Sequence, residues 1–130
     1  MSIMLRIIDK DIGAAEVAAP DLLVPLLTIS AREILRLRVE AEVEIYNETQ
    51  GASRLLVQPH PRETELNSGR KDRFRKLALE PQVAAAVEAV EKRRVIMLLD
   101  GRQITDLDET FVLTPASEAR FVRLVPLRGG

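Results

Sequence analysis

The chain opens on an apolar run of Ile3, Met4, Leu5, Ile7 and Ile8, broken only by Arg6, and turn-forming residues follow over 9–13. That pattern predicts a first strand over residues 3–8 and a turn after it. A second apolar run, residues 22–27, is interrupted by Pro25. Proline cannot donate to a strand ladder, so this second strand is expected at a sheet edge.

Ser30 and Glu33 then stand as N-cap and third helical residue of a capping box, with Ile29 and Ile34 placed to form its hydrophobic staple. This predicts a helix from Ala31 to about Asn47. Residues 36–45 nevertheless alternate strictly between charged and apolar, which is the period of a half-buried strand. The cap and the Leu, Arg, Glu and Ala content favour helix. Wound at about 100° per residue, the apolar positions form two arcs, Leu35/Val39/Val43/Tyr46 and Ile34/Leu37/Ala41/Ile45, with Arg38 and Glu42 between them. Arg36 with Glu40 and Arg38 with Glu42 become opposite-charge neighbours one turn apart. Two arcs need two covers: a sheet on one side, and an inserted segment or a second subunit on the other.

Residues 49–79 are punctuated by Gly51, Pro59, Pro61, Asn67 and Gly69, and only residues 55–57 have strand character. An insertion or long loop is expected there. Pro81 sits where a helix can begin, and Val83, Val87 and Val90 repeat at helical spacing up to a basic end near Arg93. A strand over 94–99, the hairpin pair Asp100-Gly101 and a returning strand over 102–105 come next. After an acidic connection over 106–110, a Phe111-Val112-Leu113 segment and a turn over 114–117, a last strand covers 119–125. The pattern is that of one α+β domain over residues 1–130, with residues 48–93 as a loop-plus-helix insertion before three closing strands.

Composition narrows the function. At 130 residues the chain is long enough to bury a core without covalent staples, and that core must be aliphatic, since there are three Phe, one Tyr and no Trp. With 19 basic and 20 acidic side chains there is no overall field to hold nucleic acid or an anionic membrane. Cysteine is absent, which excludes disulfides, thiolate metal sites and a thiol nucleophile, and points to a reducing compartment. No apolar run has the length of a membrane span, and no leader pattern opens the chain, so a cytoplasmic protein is expected.

The candidate chemistry is sparse. His60, the only histidine, lies between two prolines with no second histidine to share a metal or a proton relay. Asp106, Asp108 and Glu109 are too few for a hard-cation cage and read as a solvated turn. The basic run over 70–76 surrounds a single Phe74 and reads as a solvated or partner-docking face. No serine has a plausible base and no Gly-rich phosphate loop is present, so this chain is not expected to be an enzyme.

The segment over 95–104, the acidic connection, and the final run Phe121-Val122-Arg123-Leu124-Val125-Pro126-Leu127-Arg128-Gly129-Gly130 resemble the end of the sulfur-carrier proteins of thiamine and molybdopterin synthesis. The last four residues also match the end of ubiquitin. The resemblance is to the ubiquitin-like β-grasp superfamily, in which a mixed sheet wraps one long helix. It covers about the last 37 residues by motif and the first 47 by element order. It implies a bacterial-type carrier or modifier whose Gly130 carboxylate is adenylated by an ATP-dependent activating enzyme. Sulfur transfer or conjugation to a protein target would follow, with ATP used by the partner and no cofactor held by this chain. Glycine lacks Cβ, so Gly129 and Gly130 suit a narrow slot beside a nucleotide. Pro126 would stiffen the exit from the sheet, Leu127 would help anchor the tail, and Arg128 and Arg123 would pair with acidic partner groups. A chance Gly-Gly ending arises in roughly one chain in two hundred. The rival reading is a β-grasp interaction module, never activated, that dimerises through the two-sided helix.

Overall fold

The computed structural model describes residues 2–58 and 75–124. Its elements are β1 (Ile3–Asp11), β2 (Val17–Val24), β3 (Thr28–Ser30), α1 (Ala31–Glu48), α2 (Leu79–Glu91), β4 (Val95–Leu99), β5 (Arg102–Gln103), β6 (Thr110–Val112) and β7 (Glu118–Arg123). The architecture is α+β. A mixed five-stranded sheet runs in the order β2-β1-β7-β4-β5, with β1 and β7 parallel at its centre and every other pair antiparallel. β3 and β6 form a separate antiparallel pair.

β1 runs three residues past its predicted end, because its inward positions continue through Asp9 and Asp11 beside β7. β2 lies at the edge of the sheet, but it starts at Val17 and stops before Pro25. Pro20 falls inside it, at the point where the register slips between Leu5 and Ile7. A bulge on an edge strand is where a sheet tolerates a proline.

α1 begins as its local sequence dictates. Ser30 Oγ accepts from Glu33 N at 3.1 Å, and Glu33 Oε1 accepts from Ser30 N at 3.2 Å. Ile29 and Ile34 are both buried. The alternation over 36–45 is overridden, since residues two apart on a helix fall on nearly opposite sides. Leu35, Val39 and Val43 are buried from one arc and Ile34 from the other. α1 packs against β2 and β3 and also against α2, so part of the inserted segment is the second cover. Arg36 pairs across to Glu80 of α2, at 3.1 and 2.6 Å, rather than with Glu40.

α2 starts two residues before Pro81, which sits in the first turn, where the backbone N–H has no helical partner to lose. Its end is closed by Arg94 N donating to Ala89 O and Arg93 N donating to Val90 O, with Arg93 itself left-handed at φ 59°. This is a Schellman closure with arginine where glycine is usual. Residues 55–57 do not form a strand; Leu55 and Leu56 are buried in irregular backbone. The closing strands number four, because the Phe111 segment becomes β6 and pairs with β3. The returning strand β5 is only two residues long. Asp100 and Gly101 both have positive φ, as a type I′ turn requires, and Asp100 Oδ1 accepts from Glu118 N at 2.8 Å.

One core cluster joins Leu5, Ile7, Ile34, Met97, Leu113 and Phe121 with residues of α2 and the 55–56 segment. No helix among the described residues is long and apolar enough to cross a membrane.

Candidate functional site

Along β1 the inward stripe changes character. Ile3, Leu5 and Ile7 are apolar, then Asp9 and Asp11 follow on the same side. Asp9 is buried and Asp11 half-buried, and the structure brings Arg38 to the first and both Arg123 and Arg54 to the second.

Asp9 is held by both terminal nitrogens of Arg38 from α1, with Nη2 to Oδ2 at 2.6 Å. The same guanidinium donates to Glu42 Oε2 at 3.3 Å from Nε and 3.0 Å from Nη2. It also stands 4.6 Å from the centre of the Phe121 ring. Arg38 is 4 % exposed. Burial opposes its charge, yet the hydrogen bonds of Asp9 and the fields of Glu42 and Asp9 outweigh burial and raise its pKa. Burial also pushes the Glu42 carboxyl up from its ordinary value, against the pull of Arg38 and of the Leu56 N–H. That N–H donates to Glu42 at 3.0 and 3.2 Å, bringing the inserted segment into the network.

Asp11 is held by Arg123, the last residue of β7, with Nε to Oδ1 at 2.5 Å and Nη2 to Oδ2 at 2.8 Å. Arg123 Nη1 donates to Leu55 O at 3.1 Å, and Arg54 Nη2 donates to Asp11 Oδ2 at 2.7 Å. Arg123, expected to meet acidic groups of a partner, therefore has its acidic group within its own chain. Gly130, Gly129, Arg128, Leu127 and Pro126 lie outside the described residues. Leu124 donates its N–H to Arg94 O at 2.9 Å.

Two clefts flank this polar seam. One, of about 200 Å³, lies between β2 and α1, with Val17, Ala19, Pro20 and Ile45 on its walls and Asp9, Arg38 and Glu42 at its polar end. The other, of about 410 Å³, lies at the end of β7, between Leu56, Val57, Arg94, Arg123 and Leu124.

No family model, curated protein or solved structure matches the chain. The site is therefore read from its chemistry. The seam has a bidentate arginine on each aspartate, and its Glu42 and Arg123 are hydrogen-bonded to the backbone of Leu56 and Leu55.

The other candidates separate cleanly. Asp108 accepts from Arg32 Nε at 3.0 Å, which holds its carboxyl below the usual range. Glu109 pairs with Arg102, and Asp106 Oδ1 accepts from Asp108 N at 2.9 Å. The acidic connection is thus engaged by two arginines and its own turn. Among the described residues no group of three or more acids, histidines or cysteines is placed to hold a metal. His60 and residues 70–74 lie outside the described residues, and Arg75 and Lys76 are exposed.

What the sequence reading missed is Asp9 and Asp11 as inward residues. The available signal was the odd-numbered stripe of β1 continuing into acids, together with Arg38 and Glu42 lying between the two arcs of α1.

The seam makes stability depend on pH in a defined direction. The raised Glu42 pKa means the folded protein takes up that proton more readily than the unfolded chain. Its favourable contribution is complete below the ordinary carboxyl value of 4.5 and is lost as pH rises through the folded pKa. Glu42→Gln should therefore flatten the fall in melting temperature between mildly acidic and neutral pH. Superimposable profiles for the two proteins would contradict the assignment.

Proposed function

We propose that this chain is a ubiquitin-like carrier or modifier, activated as an acyl-adenylate at the Gly130 carboxylate by an ATP-dependent partner. The observation that carries the reading is the position of β7. It is central, parallel to β1, and followed by the Pro126-Leu127-Arg128-Gly129-Gly130 run. The mixed sheet and the long helix after its first strands are compatible with a β-grasp.

A carboxylate is ionised at neutral pH and is a poor acyl electrophile, so activation falls to the nucleotide and the partner. The chain supplies geometry. A strand hydrogen-bonded on both sides and clamped at Arg123 is a rigid base for a tail that must reach into another protein's active site.

Incubation with ATP and an adenylating enzyme from the same genome should give ATP–pyrophosphate exchange that depends on this protein. Deletion of Gly130 should abolish that exchange while leaving the melting temperature unchanged. Equal exchange for the deletion variant would refute the reading.

A further inference from the structure

β2 and α1 do not close on each other over their whole length. Opposite Arg6 of β1, β2 carries two residues, Pro20 and Asp21, and such a bulge bends the strand that carries it. Beside the bulge β2 offers only Ala18 and Ala19, and α1 answers with Ala41. Three side chains of one carbon each do not fill the space between a strand and a helix, and the cleft of about 200 Å³ is what they leave. Val17 and Ile45 stand on its walls 51 % and 36 % exposed, so large apolar side chains are left uncovered there.

The polar end of the cleft has its charges already matched. Asp9 and Glu42 are both held by Arg38, Glu42 also accepts from Leu56 N, and Arg54 is paired with Asp11. An ionic ligand would bring an unmatched charge to this balanced end. The group left over is neutral. Ser53 lines the cleft, and its Oγ is shielded from solvent with no hydrogen-bond partner among the described residues. A shielded hydroxyl without a partner is unfavourable, and it can both donate to a ligand and accept from one.

We propose that the cleft between β2 and α1 is a binding site for a small neutral amphiphile, a cyclic or branched hydrocarbon bearing one hydroxyl. Its hydrocarbon lies against Val17, Ala41 and Ile45, and its hydroxyl bonds to Ser53 Oγ. The space suits such a body, since an apolar cavity of about 150 Å³ takes benzene and this one takes a ring with a substituent. The site uses no residue of the tail and stands whether or not Gly130 is activated.

The test is a titration of the full chain followed by amide chemical shifts, with cyclohexanol, cyclohexylamine and cyclohexanecarboxylate as probes. At neutral pH these present the same ring with a neutral, a positive and a negative head. Cyclohexanol should give saturable shifts at Ala18, Ala41 and Ser53, with a Kd of about a few millimolar or below. The two charged probes should bind about tenfold more weakly or worse. Ala41→Leu, which fills the cleft with a good helix former, should weaken cyclohexanol by about tenfold or more with an unchanged or higher melting temperature. Ser53→Ala should weaken cyclohexanol about fivefold and leave toluene, which has no hydroxyl, unchanged. No saturable shift at these amides, the result for a cleft that holds only water, overturns the site. Equal affinity in Ala41→Leu places the binding elsewhere and overturns it too. A charged probe that binds as tightly as cyclohexanol overturns the neutral class, and unchanged cyclohexanol affinity in Ser53→Ala overturns the role of the hydroxyl.

Discussion

Replacing Arg38 with methionine should cost about 3–5 kcal/mol at neutral pH, because it leaves Asp9 buried and Glu42 half-buried with no counter-charge. Domains of this size are typically stable by about 5–15 kcal/mol, so the variant should lie near the limit of folding. The loss should shrink toward acidic pH, where the stranded Glu42 carboxyl, already raised by burial, protonates. Removing the charges together should restore most of it. Asp9→Leu with Arg38→Met and Glu42→Gln leaves no buried ion and keeps an acceptor for the Leu56 N–H. Denaturant unfolding of the single and triple variants checks both claims. A cost below about 1 kcal/mol for Arg38→Met would mean that the site is wet and the seam does not hold the fold.

Phe121→Ala should be as damaging. Phe121 is fully buried at the centre of β7, in register with Asp9 on one side and Met97 on the other. Truncating such a ring costs about 3–5 kcal/mol by lost transfer energy and cavity formation. In this protein the ring also carries the Arg38 guanidinium on its face. A double-mutant cycle with Arg38→Met should therefore show coupling of about 2 kcal/mol, the size of a desolvated cation–π contact. Strict additivity would place the arginine's stabilisation entirely in its carboxylate partners.

The elements that carry these two residues are readable in the sequence, whereas their contact with each other is not, and the reason is physical. Signals that act within a few residues were legible. Ser30 and Glu33 satisfy each other's backbone across one turn, so the start of α1 could be placed despite the alternation that follows. Asp100-Gly101 needs positive φ at both positions, and its sequence states as much. Features made by distant partners were not legible. Phe111 became strand because Ile29, far away in sequence, was there to pair with it. The apolar triplet at 55–57 has strand character within a segment expected to be loop, and its backbone bonds go to side chains of α1, β7 and α2. Pro20 sits inside β2 because a bulge opposite Arg6 accommodates it. The seam combines both kinds of signal: charge spacing on α1 was visible, whereas inward aspartates on β1 required knowing which face of that strand is covered.

Arg123 shows how this changes a functional reading. From sequence it was one of several tail residues facing a partner. In the fold its side chain is bonded to Asp11 and to Leu55 O within its own chain.

The central claim is that chemistry happens at the Gly130 carboxylate, and intact-mass analysis of the protein isolated from its source cells tests it most directly. The account predicts a fraction carrying a C-terminal thiocarboxylate, or joined through Gly130 to an amine of another protein, with both species absent when Gly130 is deleted. A single unmodified species under conditions of active growth, with no conjugate and no effect of the deletion, would contradict it.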